Sequence, residues 1–188
     1  MNLLRNELHI CNHRHSFALD NVARRLFQSP KKITSDYIRP GNTVIDIGCG
    51  PGFFTIPMAE LVGETGQVIA VDLQPQMLAK LKKKLDGSIL NERVELHQCE
   101  PSSLALKSEV KADFVLAYYM VHEVPNQRSL FEEVANTLSD DGQFLIVEPF
   151  FHVKKSAFMQ YLSIAEDVGL KAIESPRKKG GMSVLLTK

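Results

Sequence analysis

The chain predicts an α/β fold: a three-layer sandwich with a mostly parallel sheet of seven strands, the last strand antiparallel, preceded by N-terminal helices. Three observations predict it. From about residue 43 onward, short runs rich in β-branched and apolar residues alternate with amphipathic stretches, the pattern of strands joined by crossover helices. One run, Val44-Ile45-Asp46-Ile47, passes straight into a glycine-rich turn, Gly48-Cys49-Gly50-Pro51-Gly52, with helical potential after it from Phe53 to Val62. The chain then closes on two strand-like runs, about Lys171–Ser175 and Met182–Leu186, separated by a short turn containing Pro and Gly. So short a loop joins antiparallel neighbours.

Each element follows from local pattern. Residues 16–28 carry Ala18, Val22 and Leu26 at every fourth place, with Arg24 and Arg25 off that stripe, which predicts a short amphipathic helix. Ser29-Pro30 reads as an N-cap and first turn, opening a second helix through Ile33, Tyr37 and Ile38 that Pro40-Gly41 ends. The glycine-loop strand starts at about Thr43, and Gln67–Asp72 is the second strand. In a helix over Pro75–Leu85, Met77, Leu78, Leu81 and Leu85 share a face, and the lysines Lys80, Lys82, Lys83 and Lys84 form a solvated one. Val94–Gln98 and Asp113–Tyr118 are the third and fourth strands. A helix with Leu130, Phe131, Val134 and Leu138 follows, and Asp141-Gly142 makes a turn into the fifth strand, Phe144–Glu148. The last helix shows Phe158, Leu162, Ala165 and Val168, with Gly169 as its closing glycine. No repeat, low-complexity tract or linker divides the chain, so residues 1–188 are expected to form one domain.

Bulk chemistry excludes more than it assigns. Lys plus Arg and Asp plus Glu are each 22, for zero net charge, which gives no electrostatic hint of nucleic acid or an anionic membrane, though a local basic patch stays open. The three cysteines, Cys11, Cys49 and Cys99, are odd in number and lack CxxC spacing; a reducing cytoplasm is the expectation. Met1–Glu7 is too polar for a signal peptide, and no apolar run approaches a membrane span.

The glycine loop carries the chemistry. Gly48, Gly50 and Gly52 allow backbone angles closed to other residues and a close approach of a ligand to the main chain, delivered to a helix N-terminus. A dinucleotide fingerprint G-x-G-x-x-G needs a small last residue for close helix–strand packing. Counted from Gly48, that place holds the ring of Phe53. Asp46, just before the loop, repels a pyrophosphate and attracts a ligand with positive charge. An acidic residue followed by G-x-G-x-G, here Asp46, Gly48, Gly50 and Gly52, resembles motif I of the class I S-adenosylmethionine-dependent methyltransferases, whose ligand bears a sulfonium and an ammonium. The order and spacing of elements resemble the Rossmann-like fold of that family from about residue 30 to the C-terminus.

That resemblance implies a cofactor site. Asp72, at the end of strand two, resembles motif II, and an acid there accepts hydrogen bonds from both ribose hydroxyls; the same Asp also suits capping of the helix at Gln74-Pro75. Cys49 of the loop, Leu73 after Asp72, and Met77 on the next helix complete the surround. Met77 reads equally as a cover for the adenosine and as plain core. After strand three, where the family commonly has Gly-Asp-Ala, the chain has Cys99-Glu100-Pro101; Glu100 takes the acidic place facing the adenine amino group. Strand four ends in Ala117-Tyr118-Tyr119-Met120-Val121-His122-Glu123-Val124-Pro125, which resembles the methyltransferase-11 group, including enzymes of quinone biosynthesis. It implies that Ala117 touches the cofactor and that the substrate sits across from Tyr118 and His122.

Methyl transfer is an in-line displacement for which the protein mainly holds donor and acceptor aligned; a base is needed only if the acceptor must lose a proton. His122 has a suitable ordinary pKa, and a histidine in a strand–helix loop also serves as a packing or capping group. Tyr118 or Tyr119 can orient an acceptor, and Glu123 can assist. Glu148-Pro149-Phe150-Phe151-His152 offers rings to an acceptor site or simply packs the next helix. Cys11, His13 and His15 include soft and borderline metal ligands, but no fourth ligand is evident, so no metal is expected; residues 1–39 are instead read as a helical extension closing the cofactor and acceptor mouth. The expected activity is transfer of a methyl group from S-adenosylmethionine to a small-molecule acceptor, with no nucleic-acid or membrane partner. The competing readings are a catalytically silent binder of the same cofactor and, disfavoured by Phe53 and Asp46, a nicotinamide oxidoreductase.

Overall fold

In the computed structural model, residues 29–176 and 181–188 are described; the expected helix over residues 16–28 and the Cys11/His13/His15 cluster lie outside them. The elements, in order, are helix α1 (Pro30–Thr34), β1 (Thr43–Ile47), α2 (Thr55–Leu61), β2 (Gln67–Asp72), α3 (Pro75–Leu85), β3 (Val94–Gln98), β4 (Ala112–Tyr118), α4 (Gln127–Thr137), β5 (Leu138–Pro149), α5 (Lys155–Asp167), β6 (Lys171–Glu174) and β7 (Gly181–Thr187). Short 3-10 turns, Ile89–Arg93 and Val121–Glu123, precede β3 and follow β4. The seven strands form one sheet in the order β3-β2-β1-β4-β5-β7-β6. β1 to β5 run parallel, and β7 lies antiparallel between β5 and β6.

Side-chain alternation along the strands divides the core into two layers. Ile45, Ile47, Ile69, Val71, Val115 and Ala117 pack with Leu130, Phe131 and Val134 of α4 and Phe158 and Tyr161 of α5. On the other face Val44, Val68, Phe114 and Leu116 meet Phe54, Met58 and Val62 around α2, and Ala70 meets Leu78, Leu81 and Leu85 of α3. β1 lies between β2 and β4, so the strand order reverses there and a crevice opens at the carboxyl ends of β1 and β4.

Three elements depart from the sequence reading. α1 stops at Thr34; Tyr37 and Ile38 belong to a turn whose N–H groups both donate to the Thr34 carbonyl, and the Tyr37 ring stacks on Phe114 at 5.4 Å. α2 starts at Thr55 rather than Phe53, because Gly52 at φ +87° turns the chain so that Phe53 and Phe54 fold into the core. Asp141-Gly142 is not a turn between helix and strand. β5 begins at Leu138, paired to Ala112, and the register then jumps so that Gln143 pairs with Phe114. A Cβ on Gly142 would lie 2.7 Å from the Ala112 carbonyl oxygen, so this bulge accepts only glycine.

Candidate active site

At the end of β1, Asp46 is 2% exposed and its Oδ2 accepts a 2.6 Å hydrogen bond from the Thr55 hydroxyl. Burial pushes its carboxyl up to about 7; the nearby Asp72 charge adds to the rise, and the bonds from Thr55 oppose it. This is an anion that gains from a neighbouring cation. The loop above it is pinned to β2, since Gly48 and Cys49 both donate their N–H groups to the Val71 carbonyl at 2.9 and 3.0 Å. Asp72 fastens the loop from the other side: Gly50 N–H donates to Oδ2 and Gln74 N–H to Oδ1, each at 2.8 Å. Burial raises the Asp72 carboxyl as well, against the pull of those two bonds. Asp72 thus ties the glycine loop to the Gln74 N-cap that precedes α3 and is an acid at the crevice, its oxygens keeping lone pairs for further donors.

The three loop glycines do different work. A Cβ on Gly50 would meet nothing within 4 Å, so the main chain there is open to a ligand, whereas one on Gly52 would lie 2.4 Å from Leu81 Cδ1 and drive α3 off the loop. Gly48 sits under Met120, whose Cβ would be 3.0 Å from the added carbon.

These residues open into a cleft of about 220 Å³. Asp46, Gly48, Cys49 and Gly50 form its floor, and Asp72, Leu73 and Met77 one side. Met77 is also buried in the helix face, as core packing requires. Glu100 lines the cleft from the β3–β4 connection. Across from it stand Tyr118, Tyr119 and Met120. The Tyr118 ring lies 4.4 Å from Phe54 and 4.3 Å from Tyr119, and Phe53 and Phe54 extend this aromatic wall down to the loop. Tyr119 holds a left-handed backbone, φ 62°, fixed by its N–H bond to the Val147 carbonyl at 2.7 Å.

Other expected site residues sit elsewhere. Gly52 faces Leu81, and Ala117 is sealed in the sheet; neither lines the cleft. Nor does His122. Its Nδ1 donates to Glu148 Oε2 at 2.6 Å and its backbone N–H to Glu148 Oε1 at 3.3 Å. The bond to Glu148 raises the His122 pKa from its ordinary value, and burial partly opposes the rise. Phe150 and Phe151 are 64% and 76% exposed and also stand off the cleft. Two contributors escaped the sequence reading. Glu148, wholly buried, is the partner of His122; an acid closing an apolar strand was the available signal. Glu133 lines the cleft from a helix where the Glu132-Glu133 pair looks like part of a solvated face. Among the described residues no group of three His, Cys, Asp or Glu is arranged for a metal.

Residues 38–177 match the model of a family described as a methyltransferase domain. The chain belongs to this family. A demethylmenaquinone methyltransferase of Lactobacillus johnsonii is 30% identical over 111 residues, 59% of this chain and 45% of that protein. An arsenite methyltransferase of Halobacterium salinarum is 31% identical over 107 residues, 57% of this chain and 27% of that protein. The chain thus spans less than half the length of these curated relatives. The crystal structure of an S-adenosylmethionine-dependent methyltransferase from Aquifex aeolicus shares the fold, with a TM-score of 0.83 and 21% identity over 94% of this chain and 98% of that one. The Aquifex protein is described as dependent on S-adenosylmethionine. The donor set of this chain fits that cofactor: an open cradle at Gly50, a buried carboxylate that favours a cation, and an acid with spare acceptor capacity.

Proposed function

We propose that this chain transfers the methyl group of S-adenosylmethionine to a small-molecule acceptor bound against Tyr118, Tyr119 and Met120. The observation that carries the reading is one continuous cleft with Asp46, the glycine loop and Asp72 at one end and this apolar wall at the other. When bound, the cofactor supplies a methyl carbon activated by its sulfonium. Asp46 attracts the cationic end, Gly50 lets the ligand lie on the main chain, and Asp72 accepts from the ribose hydroxyls. Glu100 and Met77 flank the adenine. Gly48 and Gly52 shape the loop, Gly52 through α3, and Ala117 backs the site from within the sheet. Tyr118 orients the acceptor. His122 acts behind that wall through Glu148, so the transfer runs without a histidine base in the cleft, as suits an acceptor that is already nucleophilic.

The acceptor reading draws on charge and size. The cleft is small and its acceptor side aromatic, which favours an uncharged planar molecule over a polymer. The named acceptors of the two relatives, demethylmenaquinone and arsenite, differ too widely to choose between. Among the described residues no helix is long and apolar enough to cross a membrane, and the free Cys49 and Cys99 suit a cytoplasmic setting. The test is an acceptor-library screen for release of S-adenosylhomocysteine. Release with at least one small molecule is expected; cofactor binding without release across the library favours the silent-binder reading.

A further inference from the structure

The β3–β4 connection forms the cleft side beyond Asp72. Going outward from β1, the carboxyl ends of β1, β2 and β3 present Asp46, Asp72 and residues 99–104 in turn. A ligand with its cationic end at Asp46 and its ribose at Asp72 therefore sets its base against residues 99–104. What holds that connection in place lies on α4. Glu133 Oε2 accepts two hydrogen bonds, from the Ser103 hydroxyl at 3.0 Å and from Leu104 N–H at 2.8 Å. The Leu104 carbonyl accepts from His97 Nε2 at 2.8 Å, and the Leu104 side chain is core. Ser103, whose hydroxyl donates to Glu133, accepts from Ala105 N–H at 2.9 Å, and Ala105 has the left-handed φ of 53°. Within the loop, Glu100 and Ser103 bond each other's main chain at 2.9 and 3.4 Å. The other tie from α4, Ser129 Oγ to the Ser102 carbonyl, is 3.5 Å long.

We infer that Glu133 is a positioning residue that sets the adenine-side wall of the cleft, acting through Ser103 and Leu104. This rests on the reading of the cleft as the S-adenosylmethionine seat. One carboxylate oxygen takes both bonds, so a side-chain amide can replace it, its carbonyl oxygen accepting from the same two donors. A methyl group cannot, and it leaves the Leu104 N–H without its acceptor. The consequence falls on the base end of the ligand alone.

Isothermal titration of the full chain with S-adenosylhomocysteine and with 5′-methylthioadenosine, which lacks the amino-acid end, tests this. Glu133→Ala is expected to raise Kd roughly tenfold for both ligands, on the strength of bonds to a charged acceptor. Glu133→Gln should stay within about twofold of the parent. Asp46→Asn should weaken S-adenosylhomocysteine and spare methylthioadenosine, separating the two ends of the cleft. Parent-like affinity in Glu133→Ala overturns the inference. So does a Gln variant as weak as the Ala variant, since the charge would then meet the ligand directly. If the Ala variant fails to fold, Ser103→Ala removes one of the two bonds in its place; a loss shared by both ligands supports the inference and unchanged affinity overturns it. A parent chain that binds neither ligand sinks the cofactor reading itself, whereas binding by the parent with no effect at Glu133 sinks only the positioning role.

Discussion

On the proposed reading Asp46 gives up stability to hold a cation, and Asp46→Asn measures both sides. Burial lifts its carboxyl from 3.8 to about 7 in the folded chain. Between those values the native state keeps a proton that the unfolded state has released. Its contribution to stability is complete below pH 3.8 and is lost as pH rises through about 7. At about 1.4 kcal/mol per pKa unit, the loss approaches about 4 kcal/mol above pH 7 as an upper bound. Asn is nearly isosteric and its amide oxygen can still accept from the Thr55 hydroxyl, so the variant removes the charge without the bond. The unliganded variant should melt higher than the parent at pH 8, by up to roughly 10 °C for a domain of this size, with a smaller gain at pH 5. S-adenosylmethionine affinity should fall by at least about tenfold, the scale of a lost charge contact in a low-dielectric cleft. In the parent, affinity should rise with pH through 7, and calorimetry in buffers of different ionisation enthalpy should register proton release on binding. A variant that melts lower at pH 8, or binds the cofactor as the parent does, refutes this reasoning.

Two loop glycines should separate stability from binding. Gly52→Ala adds a carbon 2.4 Å from Leu81 at φ +87° and should lower stability by about 2–4 kcal/mol in denaturant unfolding. Gly50→Ala, at φ +53° with open space around it, should lose only about 1 kcal/mol of stability while its cofactor Kd rises more than that of any equally mild surface variant. Asp72→Asn turns an amide N–H₂ toward Gly50 N–H or Gln74 N–H; a loss of about 1–3 kcal/mol in stability and weaker cofactor binding are expected. His122→Gln should lower Tm more at pH 6 than at pH 9. The raised His122 pKa means that its pairing with Glu148 stabilises fully below the ordinary value of 6.5 and fades as pH climbs through the folded one. An equal Tm loss at both pH values contradicts the pairing.

How much of this was legible follows from what each residue's neighbours are. Asp46 and the loop glycines are contiguous, so local spacing made them stand out, and Asp72 stood out as the acid closing the second strand, just as the alternation of strands and helices exposed the sheet. The antiparallel closing strand was readable because a short turn leaves no other geometry. Boundaries failed where tertiary packing overrode local pattern: Phe53 and Phe54 look helical and instead plug the core, and Asp141-Gly142 looks like a turn and is a bulge held to Ala112. His122 looked like a base because its type and place suited one. Its partner Glu148 is 26 residues away, and no local pattern reveals that pairing or that His122 is not among the residues lining the cleft. Glu133 reaches Leu104 across 29 residues and was invisible for the same reason.

The central claim is that a loop opened by glycine and underlain by a buried carboxylate seats a cationic methyl donor rather than a diphosphate. Titrating the full chain with S-adenosylmethionine and with NAD at pH 7 tests it most directly. Saturable binding of S-adenosylmethionine at one site per chain, with no heat from NAD, is the predicted result. Saturation by NAD with none by S-adenosylmethionine contradicts the account.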